Sequence, residues 1–394
     1  MRHLVTVDKD KCIDCGFCEE FVDCPSSESG CIGCGTCIKG CPQECRTLKR
    51  LPRQGDEIRF KVDGIEYGVE GPITIRDALV AVGIWDRESH DSWCDTGGCW
   101  SCAVLADGEL VRSCVTALRD QMDIITDPCD VRALLPKRIV TVTRPPPHYC
   151  PSMFLHGCNY QCGICHNWDL TFSSTGRAVT PIEAVRSLGL RPGRDLWVGI
   201  SGGEPTLNRS WLVQVVREIR SLGGELRIQV DTNASLLTPD YIDELVAAGM
   251  TDLSPDLKSY RLETFMKLTG ITSEEKASSY LQRSWEAVRY VRQRYREDVF
   301  IAVSFPYHPN LISLEELEES ARALVSIDPD IPVTLIEYQP AFRARHWPFA
   351  KKEQMELAKR VVISAGLKKV IVQGGAEVPL PVDPAELLLS SEEF

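Results

Sequence analysis

Three groups of closely spaced cysteines stand out in this sequence. The first is a doubled run: Cys12, Cys15, Cys18 and Cys24 before Pro25, then Cys31, Cys34, Cys37 and Cys41 before Pro42. The second is Cys94, Cys99 and Cys102, followed by Cys114. The third is Cys158, Cys162 and Cys165, and no cysteine follows it. Thiols so close in sequence can converge on one metal centre. In a chain without an export signal they read as metal ligands rather than disulfides. Met1–Asp10 holds no apolar signal segment and no 18-residue apolar stretch occurs, so a reducing cytoplasm and no membrane contact are expected. Three thiolates with no fourth leave one coordination position open, and an open position can bind a reacting group.

In the doubled run, three close thiolates can reach three irons of one cubane, while the remote Cys before Pro reaches the other cubane. This resembles bacterial two-cluster ferredoxins over residues 8–46. The resemblance implies one [4Fe–4S] cluster on Cys12, Cys15, Cys18 and Cys41, and another on Cys31, Cys34, Cys37 and Cys24. Five residues rather than three precede Cys24. In the second group, Gly97 and Gly98 let the backbone wrap closely, and Ala106-Asp107-Gly108-Glu109 is a hairpin turn signal. This stretch resembles the [2Fe–2S] domain of succinate dehydrogenase iron–sulfur subunits and plant-type ferredoxins over about residues 57–120. That implies a β-grasp fold with Cys94, Cys99, Cys102 and Cys114 as ligands. Trp100 stands where that family usually has Gly. Structural zinc is the alternative for both groups. Cys45, Cys129 and Cys150 fall outside every set.

The third group is a CxxxCxxC run, and Ser201-Gly202-Gly203-Glu204-Pro205 follows the next strand. Two glycines allow close backbone approach, and Glu204 can accept from an ammonium. The pair of motifs resembles the radical S-adenosylmethionine (SAM) superfamily. It implies a third [4Fe–4S] cluster on Cys158, Cys162 and Cys165 whose open iron chelates SAM, with Gly202, Gly203 and Glu204 gripping the SAM amino group. Asp231-Thr232-Asn233 and Asp256-Leu257-Lys258, with Cys165-His166-Asn167, are similar to the pyruvate formate-lyase activating enzymes. In that group Asp231, Thr232 and Asp256 would hold a monovalent cation, with Lys258 nearby; an ordinary ion pair is the other reading. Tyr149–Gly157 lacks the Gly-Pro-Gly-x-Arg signature of those activases, so the substrate is not inherited.

The elements that must position these residues follow from periodicity. Residues 1–50 are short and Cys-rich, too small to fold without clusters as staples. Residues 55–128 show alternating stretches (Glu57–Val62, Glu66–Val69) and a helical run over Ile75–Val82. Residues 129–149, with three consecutive prolines, read as a stiff linker. From 150 to 378 a β-α-β-α pattern places strands at Met153–His156, Leu196–Ile200, Leu226–Asp231, Asp252–Ser254, Phe300–Ser304, Val333–Ile336 and Lys369–Val372. Capping signals sit at Thr180–Glu183, Thr238-Pro239 and Ser313–Glu316. Six or so βα units suit a partial (β/α)6 barrel rather than a closed one. Residues 379–394 read as an acidic tail.

The chain of 394 residues has 43% apolar content and a net charge of −12, which disfavours nucleic acid and suits an electron-donor protein as partner. The expected activity is reductive SAM cleavage fed by the built-in clusters, with hydrogen abstraction from a protein residue on a partner. Modification of a small molecule or cofactor precursor is the alternative among enzymes. An electron-transfer subunit with a vestigial barrel is the alternative outside them.

Overall fold

The computed structural model describes residues 2–24, 30–51, 56–87, 93–126, 137–142, 151–176 and 178–374. Cys129, Cys150, the three prolines of the linker and the acidic tail lie outside them. No described helix is long and apolar enough to cross a membrane.

The N-terminal module is closed by a two-stranded antiparallel ribbon. Arg2–Val7 pairs with Arg46–Leu51, bringing Val7 opposite Arg46. Two one-turn helices, Phe17–Glu20 and Thr36–Lys39, begin beside Cys18 and Cys37. Periodicity did not reveal the ribbon, because its strands are short and pair across some forty positions.

The second module is a five-stranded mixed sheet in the order 65–70, 57–62, 123–125, 103–106, 109–112. The helix Ile75–Ala81 packs its Ile75, Ala78 and Leu79 against Phe60, Val104 and Ile124. Thr74 caps it by accepting from the Asp77 amide. Asp107 and Gly108 both have positive φ, 52° and 83°, as a two-residue hairpin turn with the strands' own twist requires. The four cysteines sit at this hairpin and in the loop before it.

The third module is a partial barrel of parallel strands: β1 (Ser152–Leu155), β2 (Trp197–Gly202), β3 (Arg227–Thr232), β4 (Asp252–Pro255), β5 (Phe300–Ile301 with Val303–Tyr307), β6 (Val333–Glu337) and β7 (Val370–Gln373). They pair in that order. β5 is broken at Ala302, so its first part pairs with β4 and its second with β6. The outer layer includes α1 (Pro181–Ser187), α2 (Arg209–Ser221), α3 (Pro239–Ala248), α4 (Glu274–Arg294), α5 (Leu314–Ile327) and α6 (Lys352–Ser364). Val198, Ile200, Ile228, Val230 and Leu335 form the dry interior with Val215, Ile242 and Val288 from the helices.

Two local expectations change in detail, and the Thr180 capping box holds as expected. Part of the stretch read as a linker, Lys137–Val142, forms a strand antiparallel to β1, covering the barrel's open edge; an edge strand leaves unpaired amides that this segment satisfies. Thr180 and Glu183 form the full reciprocal capping box. Ser313 caps α5, but Glu316 does not reach back; it is buried and accepts from Ser259 and Thr264 instead.

The modules pack directly on one another. Ser174 joins all three: its amide donates to Phe21 O, its hydroxyl accepts from the Asp23 amide, and its carbonyl accepts from Arg112. Arg343 donates to the carbonyls of Ile38, Lys39 and Cys41. Lys39 pairs with Asp95 at 3.1 Å, and Asp95 also binds the buried Arg76. Burial alone would raise the Asp95 carboxyl, but Lys39 and Arg76 outweigh it and hold it well below the usual carboxylate range.

Candidate active site

Cys158, Cys162 and Cys165 lie on the loop leaving the C-terminal end of β1, the end at which barrels of this kind place their chemistry. The loop is strapped to the end of β2. Gly203 donates to Leu155 O at 2.7 Å and Glu204 to Gly157 O at 2.8 Å. The glycines serve this strap. A Cβ on Gly202 would strike the Leu155 backbone, and one on Gly203 the Gly157 carbonyl. The close approach expected toward a ligand is therefore made first to the neighbouring strand.

Glu204 is wholly buried. Its Oε1 accepts from the Thr206 amide (2.9 Å), the Thr206 hydroxyl (2.5 Å) and the Thr232 hydroxyl (2.6 Å). Its Oε2 accepts from the Asn233 amide at 2.7 Å. Burial still raises its pKa against these donors. Four internal donors make it an anchor for the ends of β2 and β3, leaving Oε2 the freer oxygen. Asn233, unremarked in the sequence as a site residue, donates to Asn159 at 2.9 Å beside Cys158. Asn167 donates to Gly202 O.

Across the mouth, Lys258 forms an ion pair with Asp256 and donates to the Tyr338 hydroxyl at 2.7 Å. Burial opposes the Lys258 charge, but Asp256 and Tyr338 more than restore it, so its pKa lies well above the ordinary value. His166 stacks edge-on against Tyr338 and accepts from the Gln339 amide through Nε2; burial, then Lys258, lower its pKa. Asp231 carries a raised pKa, chiefly from burial. Of the residues expected to hold a cation, Thr232 turns its hydroxyl to Glu204, whereas Asp256 keeps Oδ1 buried without a hydrogen-bond partner. A buried carboxylate oxygen left in that state fits a cation or a donor from a bound ligand. The ion-pair reading and the cation reading thus share Asp256, one through each oxygen. Tyr338 lies far along the chain from Lys258, with no local pattern to announce it.

Burial raises all three loop thiols: Cys162 to about 12, Cys158 well above its ordinary value with help from the Glu204 charge, and Cys165 as well. Iron coordination would deprotonate them, which couples cluster binding to proton release. The donor set, one buried and two half-buried thiols without a fourth in the loop, fits a cubane with one open iron.

The other sets also fit clusters. Cys94, Cys99, Cys102 and Cys114 are each at most 2% exposed. Cys12, Cys15, Cys18 and Cys41 line a cavity of about 290 Å³. Cys24, Cys31 and Cys34 lie near enough to Cys37 to raise its pKa, after burial. Arg46 reaches between the two sets, donating to Cys18 at 2.8 Å and also to Cys37. Cys45 lines the same cavity, 3.4 Å from Cys41. Among the described residues no three His, Cys, Asp or Glu close on a single ion. No disulfide joins any of the sixteen described cysteines.

Residues 152–324 match the radical SAM superfamily and residues 55–128 the 2Fe-2S iron-sulfur cluster binding domain. A probable GTP 3′,8-cyclase of Saccharolobus solfataricus is 32% identical over 120 residues, 29% of this chain and 36% of that protein. A putative glycyl-radical enzyme activating enzyme of Methanocaldococcus jannaschii is 23% identical over 45% of this chain and 68% of that protein. The chain spans about a third to a half of the cyclases it matches. Among solved structures, Streptococcus suis SuiB bound to S-adenosylmethionine aligns with 55% of this chain and 48% of that chain, at 15% identity and a TM-score of 0.44. The radical SAM domain implies a [4Fe–4S] cluster and SAM, and the second domain a [2Fe–2S] cluster.

Proposed function

We propose that this chain, a radical SAM enzyme by its 152–324 domain, cleaves SAM reductively and uses the resulting 5′-deoxyadenosyl radical to take a hydrogen atom from a partner protein, in the manner of an activase. The observation that carries the reading is the strapped loop of Cys158, Cys162 and Cys165 facing Asp256, Lys258 and Tyr338 across the barrel mouth. The bound cluster would supply one electron to SAM. The chain's own residues orient and shield: Glu204 and Asn233 hold the Cys158 loop, the Asp256–Lys258 pair offers charge to the SAM carboxylate and a monovalent cation, and the barrel wall excludes water. The activase relative supports a protein substrate. The lack of a disulfide among the described cysteines suits a reducing cytoplasm, and an acidic chain suits an electron-donor protein. A small-molecule substrate is the second reading, supported by several cyclase relatives at 29–32% identity.

Reduced protein given SAM should release methionine and 5′-deoxyadenosine slowly without substrate. If fully loaded, reduced protein makes none, the electron-transfer reading replaces this one. Deuterium carried from substrate into 5′-deoxyadenosine, read by mass spectrometry, separates the substrates: label acquired from a deuterated co-purifying protein supports the first, label acquired from a deuterated nucleotide the second. Three cubanes and one [2Fe–2S] cluster predict about 14 irons per chain. Anaerobic iron and sulfide analysis giving about eight or fewer, or stoichiometric zinc, would remove the four-cluster assignment.

A further inference from the structure

The loop of residues 94–102 is pressed against the loop that carries Cys158. Gly98 lies so close that an added Cβ would stand 2.8 Å from the Gly157 amide nitrogen and 2.9 Å from the His156 carbonyl carbon. A Cβ on Gly157 would in turn stand 2.9 Å from the Cys99 nitrogen and 3.0 Å from the side chains of Cys94 and Cys99. Gly157 also needs its positive φ of 86°, which a side chain disfavours. Cys94 and Cys99 belong to one apolar cluster with Tyr160 and Cys162, against which Cys158 and Cys165 pack. Ser101 clamps the contact by donating to Leu207 O at 2.9 Å. On the other side, Cys37 and Cys165 share a different cluster, but the rings of Phe17, Trp168, Phe172 and Phe342 fill it.

We propose that the last electron reaching the Cys158–Cys165 centre crosses the Gly98–Gly157 contact, making the Cys94–Cys114 centre its immediate donor. The inference rests on the radical SAM reading and deepens it. Electron transfer slackens steeply as the gap between centres widens, and packed, bonded atoms carry it better than open space. Two facing glycines bring backbone to backbone where any side chain would hold the loops apart. One electron leaves the four-thiol centre and one is gained at the three-thiol centre; no bond forms or breaks and no proton moves. A low-potential one-electron reductant, dithionite in the test below, refills the donor.

The experiment uses the reduced holoprotein. The paramagnetic signal of the [2Fe–2S] centre should relax faster in the wild type than in the variant lacking Cys158, Cys162 and Cys165, because a second spin sits beside it. Gly98→Ala changes no ligand but forces the loops apart. It should keep both signals, weaken that enhancement and slow SAM-driven reoxidation of the [2Fe–2S] centre several-fold. Ser101→Ala, which removes only the clamp, should act in the same direction and decides the matter if Gly98→Ala does not load. Equal relaxation in wild type and the cysteine variant overturns the proposal, as does unaltered transfer in the loaded glycine variant, or in Ser101→Ala where that variant decides. The relaxation readout needs no SAM cleavage. A wild type with the enhancement but no 5′-deoxyadenosine would therefore remove the proposed function and leave the contact standing.

Discussion

Replacing Cys158, Cys162 and Cys165 together by Ala is expected to abolish 5′-deoxyadenosine formation to the assay baseline, while the signals of the other clusters persist. The argument lies in ligand count. Only this set has three thiols and no fourth, so only it leaves a position where SAM could bind. The remaining sets are expected to be complete on their own segments: Cys12 to Cys41 within the ribbon's module, and Cys94 to Cys114 within the module of the five-stranded sheet. The packing at Ser174 and at Gly98 sharpens the test, because these modules touch. Loss of every cluster signal at once would mean that the chain loads as a single cooperative unit. Residual cleavage in the triple variant would place the SAM-binding iron elsewhere.

Glu204→Ala should be the most damaging single substitution at the barrel mouth. It leaves the Thr206 amide and hydroxyl, the Thr232 hydroxyl and the Asn233 amide without their acceptor inside a dry core. An unsatisfied buried donor costs about 1–3 kcal/mol. With partial relaxation the expected loss is about 3 kcal/mol, or about 6–12 °C in the barrel's thermal transition, followed by far-UV circular dichroism. SAM affinity should fall about tenfold or more, which corresponds to ~1.4 kcal/mol, because Asn233 and Thr232 no longer hold the end of β3 beside Cys158. Glu204→Gln keeps one carboxamide oxygen and should recover part of both. A Glu204→Ala protein that melts within a degree or so of the wild type would show that the ends of β2 and β3 do not depend on this carboxylate.

The parts of this protein that were legible in its sequence are those set by short-range chemistry. Cysteine spacing names cluster ligands because a loop of a few residues decides which thiols can meet. Asp107-Gly108 announces a hairpin because both residues tolerate positive φ, and Thr180 with Glu183 announces a helix start because the cap closes within one turn. The strands of the barrel follow from short apolar runs set between helical stretches, with every second residue buried in β1, β3 and β6.

Tertiary structure decided the rest, for one physical reason: those features join residues whose meeting has no local signature. Arg2–Val7 and Arg46–Leu51 form a ribbon although their partnership spans the whole Cys-rich module, with nothing local to announce it. Glu204 reads as a ligand acceptor from its motif, yet the fold gives it Thr232 and Asn233 from the next strand as partners. Tyr338 becomes part of the Lys258 site only when β6 lies beside β5. Gly98 reads as a glycine that lets its own loop wrap closely, and Gly157 has no sequence signal of its own. What makes them matter is that a Cβ on Gly98 would strike Gly157 and His156, and one on Gly157 would strike Cys94 and Cys99, and only the docking of one module on another creates that exclusion.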